Sequence, residues 1–341
     1  MMAKKAVSVI FVVAVFFGAF VQHPTESLYA EEVDADPIFS SSTAFRLTKE
    51  PERPRNYWFP PLVSFVLPGF DQWVEGQYAY AAAYTGAAAL GITYAAMNSS
   101  QYAKQHRDDT DKQSDFLESH DNLLRKATLG SLVYQGAGGL SAYHSFRSTV
   151  PGLQAIGKFR FLKKEETPAE VLMSPFQFSY LKRPTTWVPL ALIAGIGALS
   201  LTSDEDTIGR HRLRSDDVFF SAAYSYNAGT HEEALFRGWM MPMAMEWTGS
   251  ELWSNTGTAA VFALAHLGTV DVPVAQFLLG WYLGHLTQKN QWTLGEAIFV
   301  HTWWDVGAFL LSYHLYKKET KEGSSLAALP VLWLPRLTMA F

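Results

Sequence analysis

Cysteine is absent from the 341-residue chain. Its absence excludes disulfide frameworks, thiolate metal sites and cysteine nucleophiles together. Charged residues are also scarce, because they make up 17% of the chain against the roughly 25% usual in soluble globular domains. The net charge of −5 gives no basic surface for nucleic acid, so no nucleic-acid partner is expected.

Several familiar protease signatures are missing as well. The segment His-Glu-Glu-Ala-Leu at residues 231–235 ends in leucine, whereas a zincin helix needs His-Glu-x-x-His. The segment Gly-Leu-Ser-Ala-Tyr at residues 139–143 lacks the final glycine of the turn that presents a serine nucleophile. No Gly-x-Gly-Asp segment of an aspartyl protease occurs. These absences remove three common peptidase designs.

The N-terminus has the pattern of an export signal. Lys4 and Lys5 precede an apolar run over residues 6–20, and a polar stretch then ends at Ala30. A basic start, an apolar core and a small residue at a cleavage site are typical of a secretory signal. We therefore predict a signal peptide or an uncleaved N-terminal anchor over residues 1–30. The location expected is the inner (cytoplasmic) membrane of a bacterium, as an integral membrane protein.

The rest of the chain alternates between apolar and polar segments, with no alternating strand pattern and no internal repeat. Residues 31–158 are predicted as an N-terminal membrane-associated module with one or two hydrophobic helices, since residues 78–97 have about the length that spans a bilayer. A linker (159–184), a domain of closely spaced apolar segments (185–316) and a tail (317–341) follow. Trp and Tyr near several segment ends are typical of membrane interfaces. The predicted fold is all-α, a polytopic transmembrane helical bundle.

Ionisable side chains within apolar helices are costly unless paired, and they are therefore functional candidates. Glu233 and Arg237 are four residues apart, in the favourable order for an ion pair on a helix. Glu232 points about 100° away from that pair. It is left to act as a general base, with a proton affinity that an apolar site raises. Gly238 would let another helix approach closely. The alternative is a solvated helix start with an ordinary Glu–Arg pair.

Two further places break the apolar pattern. His266 follows Phe262 by four residues in an apolar segment, where a hydrogen-bonded core histidine is the plain alternative. His301 and Asp305 share one helical face through their spacing of four. That pair could bind a metal, orient the imidazole or form a buried ion pair. Phe277, Gly280 and Gly284 lie between His266 and His301 in the sequence. The spacing of four between the two glycines predicts close helix packing.

Four motifs, taken in order, resemble those of the CAAX-protease and bacteriocin-processing (CPBP, or Abi) membrane proteases. They are Glu-Glu-x-x-x-Arg-Gly, Phe-x-x-x-His, Phe-x-x-Gly-x-x-x-Gly and His-x-x-x-Asp. The resemblance covers roughly residues 185–316 and implies a helical bundle with catalytic groups around an internal cavity. It implies that Glu232 and His266 activate water, and that His301 and Asp305 support the site or stabilise an oxyanion. Asp305 stands where many members have asparagine, and an ionised aspartate cannot donate a hydrogen bond.

The family resemblance leaves metal-dependent and metal-free mechanisms open. Glu232, His266, His301 and Asp305 could bind a divalent metal such as zinc, with a position open for water. The function predicted is an integral membrane endopeptidase whose partners are membrane lipid and a peptide or protein substrate. Prenylated proteins are the family's best-known substrates, although a bacterial chain is not expected to meet them. The alternatives are a non-catalytic scaffold or immunity protein on the same fold, and a membrane transporter.

Overall fold

The computed structural model describes residues 56–105, 121–202, 208–210, 212–267 and 273–317. The predicted signal or anchor segment lies outside these ranges, as does the predicted tail after residue 317. The helices are α1 Phe59–Val66, α2 Phe70–Val74, α3 Tyr78–Gln105, α4 Asn122–Ala155, α5 Pro168–Met173, α6 Pro184–Thr202, α7 Ser215–Leu235, α8 Met241–Thr248, α9 Glu251–Ala265, α10 Val274–Lys289 and α11 Gly295–His314. A π-helical segment, Phe236–Met240, joins α7 to α8.

Short 3₁₀ turns at Ser174–Phe176 and Phe178–Lys182 lie between α5 and α6. The strands of the described ranges are β1 Ile208–Arg210 and β2 Leu315–Lys317, which pair antiparallel with Gly209 opposite Tyr316. The all-helical class predicted from the sequence is confirmed, with this three-residue ladder as an addition that no alternating pattern indicated. Within the described ranges, no helix combines the length and the apolar character that crossing a membrane requires.

Helices α4, α7 and α11 form the centre of the structure. α7 packs against α4 on one side and α11 on another, while α1 and α3 cover α4. α6 and α10 pack against α11, and α8, α9 and α10 contact one another in sequence. The helix that carries the Glu-Glu motif therefore lies between the N-terminal helices and the helix that carries His301.

α4, the longest helix of the described residues, has a side-chain cap at its N-terminus. The side chain of Asp121 accepts from the N–H groups of Leu123 and Leu124 at the N-terminus of this helix, which satisfies donors that have no partner inside the helix. The helix then runs for 34 residues to Ala155. Arg125, in its first turn, has a buried partner on α7.

The segment predicted as a linker, residues 159–184, packs into the core. Phe159 is fully buried, and its N–H donates to Glu246 at 2.8 Å. The ring of Phe161 lies 4.5 Å from that of Trp292, measured between centroids. This segment therefore makes the same kind of contacts as the helices that it connects.

Glu166, in the same segment, holds the beginning of α11. Its carboxylate accepts from the N–H of Leu294 at 2.9 and 3.1 Å, where the N-terminal amides of a helix favour negative charge. The hydroxyl of Tyr143 on α4 donates to the main-chain oxygen of Glu166 at 2.8 Å. Burial raises the pKa of the Glu166 carboxyl, and the Leu294 amide opposes that rise. The segment thus connects α4 to the start of α11.

A buried arginine at the N-terminus of α4 contacts the other two central helices. Arg125 on α4 is fully buried, and its Nη2 lies 2.7 Å from Oδ1 of Asp217 on α7. Its guanidinium also lies 4.3 Å above the ring of Tyr313 on α11. Asp216 is a second, longer contact at 3.6 Å and is 30% exposed. Asp217 is therefore the carboxylate that compensates the buried charge.

We expect Asp217→Asn to lower the free energy of unfolding by about 3 kcal/mol, because breaking a buried pair leaves an uncompensated charge. Asp216→Asn is the matched control and should cost less than about 1 kcal/mol, since its carboxylate is partly in solvent. Denaturant unfolding of both variants measures the difference. Equal losses in the two variants would contradict the assignment of Asp217 as the main partner.

Candidate active site

The first part of the site lies where α7 ends. Glu232 and Glu233 occupy its last turn, and Arg237 and Gly238 belong to the π-helical segment that follows. The N–H of Phe236 donates to the carbonyls of both glutamates at this junction. Single π turns inside helices occur frequently at functional sites. The side chains of Glu232, Glu233 and Arg237 are no more than 2% exposed.

Glu233 joins two cationic groups through one oxygen. Its Oε1 accepts from Nη1 of Arg237 at 2.9 Å and from Nδ1 of His301 at 2.7 Å. Nη2 of Arg237 donates to the carbonyl of Gly280 on α10 at 2.8 Å. The ion pair with Arg237 follows from the spacing of four, whereas the bond to His301 links residues 68 apart and no spacing rule indicates it. The carboxylate of Glu233 thus links the π-helical segment to α11, and Arg237 extends this link to α10.

The bond to Glu233 also orients His301. A carboxylate paired with arginine only accepts, so Nδ1 of His301 carries the proton in that bond. Nε2 then lies 3.8 Å from Oε2 of Glu232 and 3.5 Å from Oδ2 of Asp305. Neither carboxylate oxygen has a hydrogen-bond partner among the residues that the structure describes. Contacts of this length between buried polar atoms are suited to a bridging water.

The charges at the site differ from those of the free side chains. Burial raises the pKa of Glu232 to about 8 and that of Asp305 to about 6, because desolvation disfavours the ionised form. Burial lowers the pKa of His301, but Asp305 and the hydrogen bond to Glu233 outweigh it and raise the value to about 9. Near neutral pH, Glu232 is therefore mostly protonated and His301 is cationic.

His266 lies directly after α9 and is fully buried. Its Nδ1 donates to the carbonyl of Phe262 at 2.7 Å, which makes Nε2 the basic nitrogen. Burial lowers its pKa to about 4, so this imidazole is neutral at pH 7. The ring of Phe262 lies 4.6 Å from His266 and 6.0 Å from His301, between centroids. Phe262 therefore lies beside both histidines.

Gly238 and Gly280 allow the close contacts on which this site is built. A Cβ atom on Gly280 would lie 2.9 Å from Nη2 of Arg237 and 2.9 Å from the ring of Phe262. A Cβ atom on Gly238 would meet the ring of Tyr143 and approach Leu294 to 3.0 Å. The Gly280 position was expected to serve packing alone, but its carbonyl is also an acceptor for Arg237. Sequence reasoning did not indicate that bond.

His231, near the end of α7, is a further buried residue at the site that was not among the predicted site residues. It is 1% exposed, and its Nδ1 donates to the carbonyl of Asn227 at 2.6 Å. Burial lowers its pKa to about 4, and the charges of His301 and Glu233 act on it. Its position directly before Glu232 was the signal available in the sequence.

The four residues predicted as possible metal ligands are Glu232, His266, His301 and Asp305. Across the described part of the chain, no group of three or more histidine, aspartate or glutamate side chains is placed to hold a metal ion. Nδ1 of each histidine is already bonded, to the carbonyl of Phe262 and to Glu233. In metal sites, a histidine that is bonded in this way through Nδ1 coordinates the ion through Nε2.

The comparison with protein families identifies the part of the chain that contains this site. Residues 214–307 match the Rce1-like family model. The family is described as type II CAAX prenyl endopeptidase Rce1-like, which confirms the family predicted from the four motifs. The Rce1-like segment (residues 214–307) contains all four motifs. No curated protein and no solved structure matched the chain.

We expect Gly280→Ala to destabilise the Rce1-like segment by about 1–3 kcal/mol, because the added methyl overpacks the contact with Arg237 and Phe262. Gly257→Ala is the matched control, since Gly257 is also helical and a Cβ there meets nothing within 4 Å. That change should be neutral or stabilising by up to about 1 kcal/mol through helix propensity. Thermal unfolding compares the two, and an equal response would contradict the packing role of Gly280.

Proposed function

We propose that this protein is a CAAX-type endopeptidase in which Glu232 activates a water for attack on a peptide bond. The observation that carries the proposal is the arrangement around Nε2 of His301. Oε2 of Glu232 and Oδ2 of Asp305 lie 3.8 and 3.5 Å from this atom, in an interior that excludes solvent. The Rce1-like match over the same residues supports it.

In the proposed reaction, the ionised carboxylate of Glu232 takes a proton from water while the oxygen attacks the carbonyl carbon. The cationic His301 stabilises the oxyanion that forms, since a fixed charge in a water-poor site acts strongly on developing charge. Glu232 then returns its proton to the amide nitrogen as the carbon–nitrogen bond breaks. Asp305 holds His301 in its cationic form, a role that does not require an aspartate to donate a hydrogen bond.

The role proposed for His266 is to orient the attacking water. Because its Nδ1 donates to the Phe262 carbonyl, Nε2 offers a lone pair that can accept from water. Its low pKa keeps it neutral, so it does not compete with His301 for the oxyanion. The two histidines thus differ in charge and are proposed to differ in role.

We propose that the protein acts at a membrane through a face formed by α6 and α10. These helices are neighbours, since the hydroxyl of Tyr282 donates to the main-chain oxygen of Thr185 at 2.6 Å. Large apolar side chains, each at least 37% exposed, project from them: Trp187, Val188, Leu192, Leu199, Val274, Leu278 and Trp281. Exposed apolar side chains on neighbouring helices indicate contact with lipid or protein, and tryptophan favours the bilayer interface.

The proposed substrate is a protein or peptide segment presented at that membrane. The family description names prenyl substrates, and matched peptides with and without a C-terminal prenyl group decide whether this chain needs the lipid. A divalent metal such as zinc remains the alternative means of activating water. Metal content of the purified protein, measured beside cleavage with and without a chelator, decides between the two routes.

We expect Glu232→Gln to reduce cleavage by about 10³-fold or more, because the amide cannot accept the proton of the attacking water. The measurement is the cleavage rate of a peptide library by the purified protein. Glu251→Gln, at the exposed start of α9, is the control and should keep full activity. Normal cleavage by the Glu232→Gln protein would contradict the role of Glu232 as the general base.

The pH dependence of kcat/KM should rise towards alkaline pH. Glu232 acts in its ionised form, and because its pKa is raised to about 8, about 1% of it is ionised at pH 6. The rate should therefore increase about tenfold per pH unit up to about pH 8. It should fall again above about pH 9, as His301 loses its proton.

Steady-state cleavage between pH 5.5 and 10 measures this profile. Unfolding at each pH, measured in parallel, separates loss of the fold from loss of the ionised base. A rate that stays constant between pH 6 and 8 would contradict Glu232 as the base.

A further inference from the structure

Buried polar atoms without hydrogen-bond partners among the described residues occur on both α4 and α7, two helices that pack against each other, and they take no part in the proposed chemistry. They are both amide atoms of Gln135, Oδ1 of Asn227 and Nε2 of His231. None of them has a hydrogen-bond partner in the described ranges. Gln135 is 2% exposed and His231 is 1% exposed, so bulk solvent does not satisfy them. Buried polar atoms without any partner are costly and therefore rare.

These atoms belong to adjacent turns of two helices in contact. A Cβ atom on Gly136 would lie 2.9 Å from Oδ1 of Asn227, and one on Gly139 would lie 3.1 Å from Cβ of His231. Gln135 is next to Gly136 and one turn before Gly139, on the same face of α4. Asn227 and His231 are likewise one turn apart on α7. The residues that carry the unsatisfied atoms therefore flank one contact between the two helices.

The hydrogen-bonding capacities of these atoms are complementary to those of water. Nδ1 of His231 donates to the Asn227 carbonyl at 2.6 Å, so Nε2 is an acceptor in the neutral ring. Oδ1 of Asn227 and Oε1 of Gln135 are acceptors, and Nε2 of Gln135 is a donor. A water donates two bonds and accepts others, and internal waters typically make two to four bonds to such groups. The three side chains include no carboxylate, which argues against a cation.

We propose that Gln135, Asn227 and His231 form a buried water-binding site between α4 and α7, adjacent to Glu232. His231 directly precedes Glu232 in the chain, and it lies near enough to His301 and Glu233 for their charges to act on it. Occupancy by water does not depend on the proposed peptidase. The further step, that this site supplies the water consumed by hydrolysis, does rest on the proposed function.

Radiolytic hydroxyl labelling of the wild-type chain, read by mass spectrometry, tests occupancy directly. Radiolysis of a bound water labels the side chain next to it. His231 should be labelled although it is buried, as the exposed His285 is, while Phe146 in the apolar core stays unlabelled. Labelling of His231 should fall at least several-fold in Gln135→Met. An unlabelled His231 beside a labelled His285, or labelling that Gln135→Met leaves unchanged, would overturn the proposal.

Thermal stability gives a second test, because a hydrated site and a dry site predict changes in Tm of opposite sign. Methionine matches glutamine in size and binds no water, so Gln135→Met should lower Tm by about 2–4 °C if the site is hydrated. In a dry site the same change removes a desolvated amide, and Tm should rise. Gln101→Met, on the exposed surface of α3, is the matched control and should leave Tm unchanged. A Tm that rises in Gln135→Met would overturn the water site.

Activity separates this inference from the proposed function. If the site supplies water to Glu232, Gln135→Met should lower kcat several-fold and leave KM unchanged. A wild-type protein that cleaves no peptide contradicts the proposed function, yet His231 labelling still decides whether the water site exists. A labelled His231 with unchanged kcat in Gln135→Met would overturn the supply role alone.

Discussion

One oxygen atom, Oε1 of Glu233, holds the reaction centre together. It accepts from Arg237 at 2.9 Å and from His301 at 2.7 Å, with all three side chains buried. Burial of an arginine is tolerated only where its charge is compensated and its N–H groups are bonded, and Glu233 together with the Gly280 carbonyl meets both conditions. Since the same oxygen fixes the ring of His301, it also determines which atom faces Glu232 and Asp305.

Two adjacent glutamates thereby acquire different chemistry from their surroundings. Glu233 is bonded to two cationic groups, while Oε2 of Glu232 has no partner in the described part of the chain. Desolvation therefore dominates at Glu232 and raises its proton affinity. The pKa values of His266 and His301 differ for a similar reason, because burial is the largest influence at His266, whereas nearby carboxylates raise the value at His301. The surroundings of each side chain, rather than its residue type, therefore determine the different roles of the two glutamates and of the two histidines.

The sequence could predict much of this because spacing on a helix is a local property. The Glu233–Arg237 pair and the shared face of His301 and Asp305 follow from intervals of four residues, and the helical class follows from the apolar segments. The Glu233–His301 bond could not be predicted, since it joins helices that are distant in sequence. The bond from Leu294 at the start of α11 to Glu166 could not be predicted for the same reason. Residues 159–184, which contain Glu166, were predicted as a linker because their composition is polar and mixed. The burial of His231 could not be predicted either, because it depends on the packing of α7 against α4.

The support that α11 receives from Glu166 bears on how small a working unit of this protein can be. Glu166 and Tyr143 both precede the Rce1-like segment, and so does Arg125, the buried partner of Asp217. A recombinant fragment cut at residues 214–307 would expose the amides at the start of α11 and strip the face of α7 that α4 covers. The minimal expressible unit therefore begins upstream of α4, well before the stretch that carries the family signature.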